Sequence, residues 1–253
     1  MKKIYRFLKK LFHLKDSCSS LTVIGVGPGD PSLLTIAALK ALRKSQVIFY
    51  PISSDDKKSL SAEIVKNYIK SKKQLSIIFP MARKGFNATQ IWNNAAVKII
   101  KHIKKNKSVS LLCLGDTSIF ASSSYIVAEI KKIDPEIKIH IIPGISSISL
   151  AASLANFQLI NHGENLKIFE CPNDSINLSH LLTNNGNFKT NTVFVLMKVG
   201  HRWSWVKNTL IKENIFKDAI LAVNLGMRNQ FIGKASDYLE EELPYFSLIL
   251  LRN

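Results

Sequence analysis

The sequence predicts an α/β protein made of two α/β domains, and three observations lead to this fold class. Short apolar segments alternate with longer amphipathic ones along the 253 residues, as strands and helices do in parallel sheets. Three of the apolar segments end in short loops that contain glycine. Each of these loops is followed by a helical pattern, and ligands of open α/β sheets bind where strand, loop and helix succeed one another in this way.

The first such unit lies at Leu21–Leu42, where an apolar run ends in a glycine-rich turn. Asp30 is a good helix N-cap and Pro31 suits the first helical position, so a helix is expected to begin there. The turn is no dinucleotide fingerprint, because Asp30 stands where a third glycine is required and Pro28 lacks an N–H for a phosphate. We therefore expect close approach of a ligand other than a phosphate.

The same alternation places the remaining elements. In a predicted N-terminal domain, residues 20–118, the strands are Leu21–Val26, Gln46–Tyr50, Leu75–Phe79 and Val109–Leu114, and the helices are Pro31–Lys44, Leu60–Ser71 and Ala88–Lys105. In a predicted C-terminal domain, residues 119–253, the strands are Lys138–Ile142, Leu166–Cys171, Thr192–Met197, Ala219–Asn224 and Ser247–Leu251, and the helices are Ile119–Lys132, Ser146–Ala155, Ile176–Leu182 and Trp203–Glu213. The boundary is expected near Gly115–Phe120.

Residues 1–19 form a basic N-terminal extension that differs from the rest of the chain. It lacks the small-residue cleavage site of a secretory signal. We interpret it as a disordered tail or as the result of a start codon assigned too early, the alternative being a basic amphipathic helix that lies on an anionic membrane. No transmembrane helix and no stable membrane association are expected, because no apolar run approaches the length of a bilayer span.

Composition excludes several classes of protein. The net charge is +17, but six of the 35 basic residues are arginine, the preferred base reader, so no nucleic-acid partner is expected. The three cysteines stand far apart, which argues against a metal site or a disulfide framework and fits a reducing cytoplasm. Cys113 and Cys171 lie in apolar runs and are predicted core residues.

The second and third loops carry the remaining candidate residues. Gly115 and Asp116 follow an apolar strand, and the Asp116 carboxylate suits either a ligand hydroxyl or amino group or the N-cap of a helix near Ile119. Ser146 and Ser147 likewise suit capping or binding. No Ser/His/Asp set, carboxylate pair or metal cluster stands out, which favours a transfer from an activated donor that depends on positioning.

Six motifs in a fixed order carry a family resemblance: GVGPGDPSLLT at Gly25–Thr35, FPMARK at Phe79–Lys84, LGDTSIFASSSY at Leu114–Tyr125, PGISSISLAA at Pro143–Ala152, VLMKVG at Val195–Gly200 and PYFSLILL at Pro244–Leu251. The chain resembles the tetrapyrrole methylase family, the S-adenosylmethionine-dependent enzymes of the cobalamin and sirohaem pathways. Four segments look like one branch, the precorrin-2 C(20)-methyltransferases: Phe79–Lys84, Ala121–Ile126, Met197–Gly200 and Pro244–Leu251. The sequence departs from the family pattern at Thr117, where proline is usual.

The resemblance implies two α/β domains with the S-adenosyl-L-methionine cofactor in a cleft between them, a homodimer and a cytoplasmic location. Motif by motif, it implies that the cofactor contacts Pro28, Leu114, Gly115, Asp116, Ile119, Ser146, Ser147, Met197 and Gly226. It also implies substrate contacts from Asp30, Arg83 and Lys84, the two basic residues pairing with the carboxylates on the rim of the macrocycle. Asp30 is in addition the candidate catalytic residue, although a role as N-cap explains it equally well.

The implied reaction is methylation of precorrin-2, or of cobalt-factor II, at carbon 20 in corrin biosynthesis, by in-line attack of that carbon on the methyl group of the donor. Three alternatives stay open. The first is another precorrin or uroporphyrinogen C-methyltransferase. The second is an rRNA ribose methyltransferase, and the third is a tetrapyrrole-binding protein without activity.

Overall fold

The computed structural model of the protein describes residues 20–54, 58–79, 88–105, 107–184, 187–188 and 191–252. The chain forms two compact units, each built on a five-stranded sheet. Within the described residues, the first unit comprises residues 20–26 and 34–144, and the second unit comprises residues 27–33 and 145–252. The prediction of two α/β domains is confirmed.

The first unit is a parallel sheet with helices on both faces. Its strands are β1 (Ser20–Gly25), β2 (Val47–Ile52), β3 (Lys73–Ile78), β4 (Val109–Cys113) and β5 (Lys138–Ile142). Its helices are α1 (Ile36–Lys44), α2 (Leu60–Ile64), α3 (Lys66–Ile69), α4 (Ala88–Ile103) and α5 (Ser123–Ile133). The spatial order of the strands is β3-β2-β4-β1-β5, and every pairing between them is parallel.

Alternating strand residues bury the two faces of this sheet. On β1, Val23 belongs to the apolar cluster that contains α4 and α5, whereas the next residue, Ile24, belongs to the cluster that contains α1, α2 and α3. On β2, Phe49 belongs to the same cluster as Val23, and Ile48 belongs to the same cluster as Ile24. Successive side chains of a strand point to opposite faces, so apolar runs of this kind form strands that are covered on both sides.

The first unit extends further along the chain than predicted. Strand β5 pairs with β1, with Ile139 opposite Leu21 and Ile142 opposite Ile24. Helix α5 packs in the same unit through Ile126, which is fully buried. The predicted boundary between residues 118 and 119 is therefore wrong, because the last strand of the parallel sheet comes after it, and the division lies after Gly144.

The second unit is a mixed sheet. Its strands are β6 (Asn165–Glu170), β9 (Thr192–Met197), β10 (Ile220–Val223), β11 (Phe231–Lys234) and β12 (Ser247–Arg252), and a small hairpin pairs β7 (Thr183–Asn184) with β8 (Asn187–Phe188). Its helices are α6 (Ser147–Leu154), α7 (Ser175–Leu182) and α8 (Trp203–Lys212). The order is β11-β10-β12-β9-β6, in which β6 and β9 are parallel and the other pairs are antiparallel. Trp203 of α8 and Phe194 of β9 lie in its core.

Two helices begin later than predicted. Pro31–Leu33 forms a 3-10 turn, and α1 begins at Ile36 because the Thr35 hydroxyl accepts a hydrogen bond from the Ala38 N–H at 3.0 Å. Helix α5 begins at Ser123, since Phe120 has a φ of 48° and a right-handed helix cannot pass through that conformation. Within the described residues, no helix is both long and apolar enough to cross a bilayer.

Candidate functional site

Three glycines meet at the carboxyl edge of the first unit's sheet. Strands β4, β1 and β5 are parallel neighbours, so the loops that contain Gly25, Gly115 and Gly144 leave the sheet side by side. A Cβ atom added to Gly144 would lie 2.2 Å from the carbonyl oxygen of Gly115, and one added to Gly25 would lie 2.4 Å from the nitrogen of Gly144. The loops therefore pack backbone against backbone, at separations that no other residue type allows.

The carboxylate of Asp116 ties two of these loops together. One oxygen accepts hydrogen bonds from the N–H and the hydroxyl of Ser118, the former at 2.8 Å. The other accepts from the N–H of Gly144 at 3.0 Å. Burial raises the pKa of Asp116, but the hydrogen bonds outweigh it and hold the pKa below its ordinary value. Because α5 begins at Ser123, Asp116 is not the cap of a helix at Ile119.

The space next to Gly115 is open. Gly115 has a φ of 72°, and a Cβ atom added to it would meet no atom within 4 Å. Three predicted site residues of this loop, Leu114, Asp116 and Ile119, are half-buried. The backbone of the loop at Gly115 therefore borders a region that a ligand can enter.

A second close approach lies within the second unit, between the segment 27–33 and the turn after β10. A Cβ atom on Gly226 would lie 2.5 Å from the nitrogen of Asp30, and one on Gly29 would lie 2.6 Å from the carbonyl oxygen of Leu225. Gly226 has a φ of 71° and donates its N–H to Oε1 of Gln230 at 2.7 Å. The structure therefore brings the Asp30 backbone and Gly226, both predicted site residues, into contact.

Asp30 itself is exposed, and the neighbouring Pro28 is buried. Oδ1 of Asp30 accepts the N–H of Ser32 at 2.7 Å, and hydrogen bonds from the backbone and the side chain of Ser32 hold the pKa of Asp30 below its ordinary value. The prediction that Asp30 caps the long helix is wrong, because the helix starts with its own cap at Thr35; Asp30 caps the 3-10 turn instead.

The other predicted residues of the second unit stand at element ends. Ser146 is the N-cap of α6, and its hydroxyl accepts the N–H of Ser149 at 3.1 Å, as the capping interpretation requires. Ser147 is the first residue of that helix. Met197 ends β9 and is half-buried, and its backbone carbonyl oxygen accepts a hydrogen bond from the N–H of Cys171 at 2.8 Å. Met197 is therefore a strand-end residue rather than a fully enclosed core residue.

Arg83 and Lys84 lie outside the described residues. Cys113 and Cys171 are buried core residues, as predicted. Burial raises the pKa of both thiols, that of Cys171 to about 11, so neither is a thiolate nucleophile at neutral pH. In the part of the chain that the structure describes, no group of three or more His, Cys, Asp or Glu residues is arranged to hold a metal ion.

The family model described as Tetrapyrrole (Corrin/Porphyrin) Methylases matches residues 20–236. The chain belongs to this family. This tetrapyrrole methylase is similar to the cobalt-precorrin-2 C(20)-methyltransferase of Salmonella typhimurium, with 24% identity over 234 residues that cover 91% of this chain and 95% of the relative. It is also similar to the precorrin-2 C(20)-methyltransferase of a Sinorhizobium species, with 25% identity over 237 residues that cover 90% of this chain and 93% of the relative.

A third relative of this tetrapyrrole methylase is a probable cobalt-precorrin-2 C(20)-methyltransferase of Methanocaldococcus jannaschii, 34% identical over 145 residues. That match covers 57% of this chain and 61% of the relative's length. Among solved structures, a cobalt precorrin-4 methyltransferase superposes with a TM-score of 0.66 at 16% identity and covers 93% of this chain and 95% of its own. At that identity the likeness supports the fold of the tetrapyrrole methylase, two α/β units.

Sequence reasoning did not find the contact between Gly25 and Gly144 or the hydrogen bonds of Ser118. Both glycines stand in the quoted motifs, but their contact joins residues far apart in the chain and depends on the strand order. Ser118 carries a local signal: a serine two residues after an aspartate is a common partner of its carboxylate.

Proposed function

We propose that this tetrapyrrole methylase transfers a methyl group from S-adenosylmethionine to carbon 20 of precorrin-2, or of its cobalt-containing form cobalt-factor II, in cobalamin biosynthesis. The observation that carries the proposal is the similarity, along about nine tenths of the chain, to two proteins named C(20)-methyltransferases. The glycine-lined loops of both units stand within the matched residues 20–236. The expected site therefore lies in the part of the chain that the family model covers.

The described residues fit such a donor. The open space beside Gly115 admits a ligand to the backbone of the loop, and the charged carboxylate of Asp116 offers an acceptor for hydroxyl or amino groups. We propose that the donor is held by the residues implied by the family resemblance: Pro28, Leu114, Gly115, Asp116, Ile119, Ser146, Ser147, Met197 and Gly226. When bound, S-adenosylmethionine supplies a methyl group on a positively charged sulfur.

The protein's own residues are proposed to position the substrate rather than to react with it. Arg83 and Lys84 pair with rim carboxylates of the macrocycle, since an arginine fork matches a carboxylate. Asp30 orients the macrocycle or accepts the proton that carbon 20 loses. Its lowered pKa keeps Asp30 ionised at neutral pH, so it is available as an acceptor, although it is a weaker base than an ordinary aspartate.

The regiochemistry is tested with a donor that carries a carbon-13 methyl group. The protein is incubated with precorrin-2, and in parallel with cobalt-factor II, and the product is examined by mass spectrometry and carbon NMR. One new methyl signal, assigned to carbon 20 by coupling to labelled ring carbons, is expected. A methyl group at a ring β-carbon would identify a different tetrapyrrole methylase. In a parallel incubation with ribosomal RNA, transfer of the labelled methyl group to the RNA would refute the substrate class.

Donor binding is tested separately with S-adenosylhomocysteine, the donor product, by calorimetry. We expect micromolar binding to the unaltered protein and weaker binding to Asp116→Asn, which loses the charge beside the open loop. Asp237→Asn is the matched control, because Asp237 is an exposed aspartate of the second unit outside the predicted site. Normal binding by the Asp116 variant would assign this carboxylate to loop structure alone.

We further propose that the protein is a cytoplasmic homodimer. Strand β5 is the last strand of its sheet as described, and its Ile141 is 59% exposed. A cavity of about 640 Å³ lies beside it, lined among others by Ile139, Lys40 and Lys44. An open strand edge with exposed isoleucine favours self-association. Light scattering after gel filtration should give a particle mass of twice the chain mass. For Ile141→Lys, the measured mass should fall to that of one chain.

A further inference from the structure

Three aromatic rings form a contiguous group in the first unit, outside the residues assigned above. Phe79 directly follows β3, Trp92 lies near the N-terminus of α4, and Tyr125 lies near the N-terminus of α5. The ring centroids of Phe79 and Trp92 are 4.8 Å apart. Those of Trp92 and Tyr125 are 5.4 Å apart with an interplanar angle of 13°, so these two rings are stacked. We call Phe79, Trp92 and Tyr125 the aromatic group.

The aromatic group is partly buried at Phe79 and Trp92 and exposed at Tyr125. Phe79 donates its N–H to the carbonyl of Ile52 at 2.8 Å, which continues the pairing of β3 with β2. Phe79 and Trp92 are partly buried against the apolar cluster that includes Ile99. Tyr125, by contrast, is 58% exposed. The stack with Trp92 therefore holds the ring of Tyr125 at the surface in a fixed orientation. Because the ring is already ordered, binding of a ligand to it costs little further conformational entropy.

The position of the aromatic group links it to the loop of Asp116. Residues 117–122 connect Asp116 to α5, and Tyr125 is the third residue of that helix. Phe79 follows the carboxyl end of β3, and all strands of this sheet are parallel. The carboxyl ends of parallel strands share one edge, where ligands of such sheets bind. Tyr125 is thus placed on the same edge as the open space beside Gly115.

We propose that the aromatic group is a stacking platform for the tetrapyrrole substrate, with Tyr125 as the residue that contacts the flat face of one pyrrole ring; this rests on the proposed function. Aromatic faces pair favourably in offset stacks with centroids about 4.5–7 Å apart, the arrangement that Trp92 and Tyr125 already adopt. A pyrrole ring extends such a stack through its flat face, and the carboxylates on its rim remain free to pair with basic residues. Tyr125 then fixes the plane of the macrocycle, which is one determinant of the carbon that is methylated.

Binding is measured with uroporphyrin I, a tetrapyrrole with eight carboxylates, through quenching of tryptophan fluorescence. Trp92→Phe shows how much of the fluorescence quenching comes from Trp92, since this variant keeps the other tryptophans. Tyr125→Ala should raise the Kd for uroporphyrin about tenfold, whereas Tyr125→Phe, which keeps the ring, should stay within about twofold. Ile133→Ala is the matched control, because Ile133 is a 43% exposed apolar residue at the opposite end of the same helix.

Binding of S-adenosylhomocysteine distinguishes a substrate platform from a donor contact. Its Kd should be the same in Tyr125→Ala and in the unaltered protein. Uroporphyrin binding that does not depend on Tyr125, its absence from the unaltered protein, or an equal loss of S-adenosylhomocysteine binding would each overturn the platform. If uroporphyrin binding depends on Tyr125 but no methyl group is transferred to any tetrapyrrole, the platform stands and the proposed function fails.

Discussion

Replacement of Gly144 by alanine tests whether the close packing of the loops at the carboxyl edge is required. The added Cβ would lie 2.2 Å from the Gly115 oxygen and 2.8 Å from the carbonyl carbon of Gly25, so it is wedged between two backbones. Cβ contacts below 3.0 Å essentially do not occur, and so the loops must separate by about 0.8 Å. Neither neighbour is a side chain that can rotate away.

The expected cost has two parts. Overpacking of a close-packed site costs about 1–3 kcal/mol. The same displacement lengthens the 3.0 Å bond from the Gly144 N–H to Asp116 beyond hydrogen-bond distance. Loss of a hydrogen bond to a charged group costs about 1.5–3 kcal/mol. We therefore expect Gly144→Ala to lower the free energy of unfolding by about 4 kcal/mol and to weaken binding of S-adenosylhomocysteine in whatever protein remains folded.

Urea unfolding followed by circular dichroism measures this change. Gly163→Ala is the control: Gly163 has a φ of 82° but no atom within 4 Å of an added Cβ, so it reports backbone strain without a clash. That strain costs about 1–2 kcal/mol. If Gly144→Ala proves no more destabilising than Gly163→Ala, the contact between the loops is not the constraint that we describe.

Three further predictions test separate parts of the structure. Asp116→Asn should lower the free energy of unfolding by about 1.5–3 kcal/mol at neutral pH. Because the pKa of Asp116 in the folded protein lies below 3.8, this difference should be complete above pH 3.8 and should vanish as the pH falls through the folded pKa. Unfolding curves that show a constant difference over that pH range would contradict the prediction. Thr35→Ala should cost about 1 kcal/mol in urea unfolding through loss of the α1 cap, and Asp30→Ala less, so equal losses would refute the assignment of the cap. In a variant in which Cys18 is replaced, Cys113 and Cys171 should resist a thiol reagent in the folded protein and react with it in guanidinium. Rapid reaction of the folded protein would contradict the burial of these two cysteines.

The sequence predicted most strands because each is a short apolar run between turns, as at Val109–Cys113. It failed where a local signal had two solutions. Asp30 and Thr35 are both good caps, and propensity alone does not say which of them begins the helix. The domain boundary failed for another reason: Lys138–Ile142 reads as a strand, but nothing local says which sheet it joins.

The candidate site shows the same division. Gly115, Asp116 and Gly226 were predicted because their motifs resemble those of a family, and the resemblance carries residue identity without geometry. The bond from Asp116 to Gly144 depends on β4 and β5 flanking β1, which is a property of the strand order. A carboxylate that binds two loops together and one that merely caps a helix have the same sequence signature.

The path of the chain through residues 27–33 has a consequence for folding. The chain leaves the first unit after Val26, contributes this short segment to the second unit and returns at Leu34. Gly29 finds its packing partners at Leu225 and Gly226, which are synthesised long after it. The segment therefore cannot dock until the turn after β10 has been synthesised, and by then β1 and α1 on either side of it are already made. Its docking is expected to be a late step, and contacts so distant in sequence slow folding. A fragment that starts at Ile145 would therefore lack residues 27–33, which belong to the second unit.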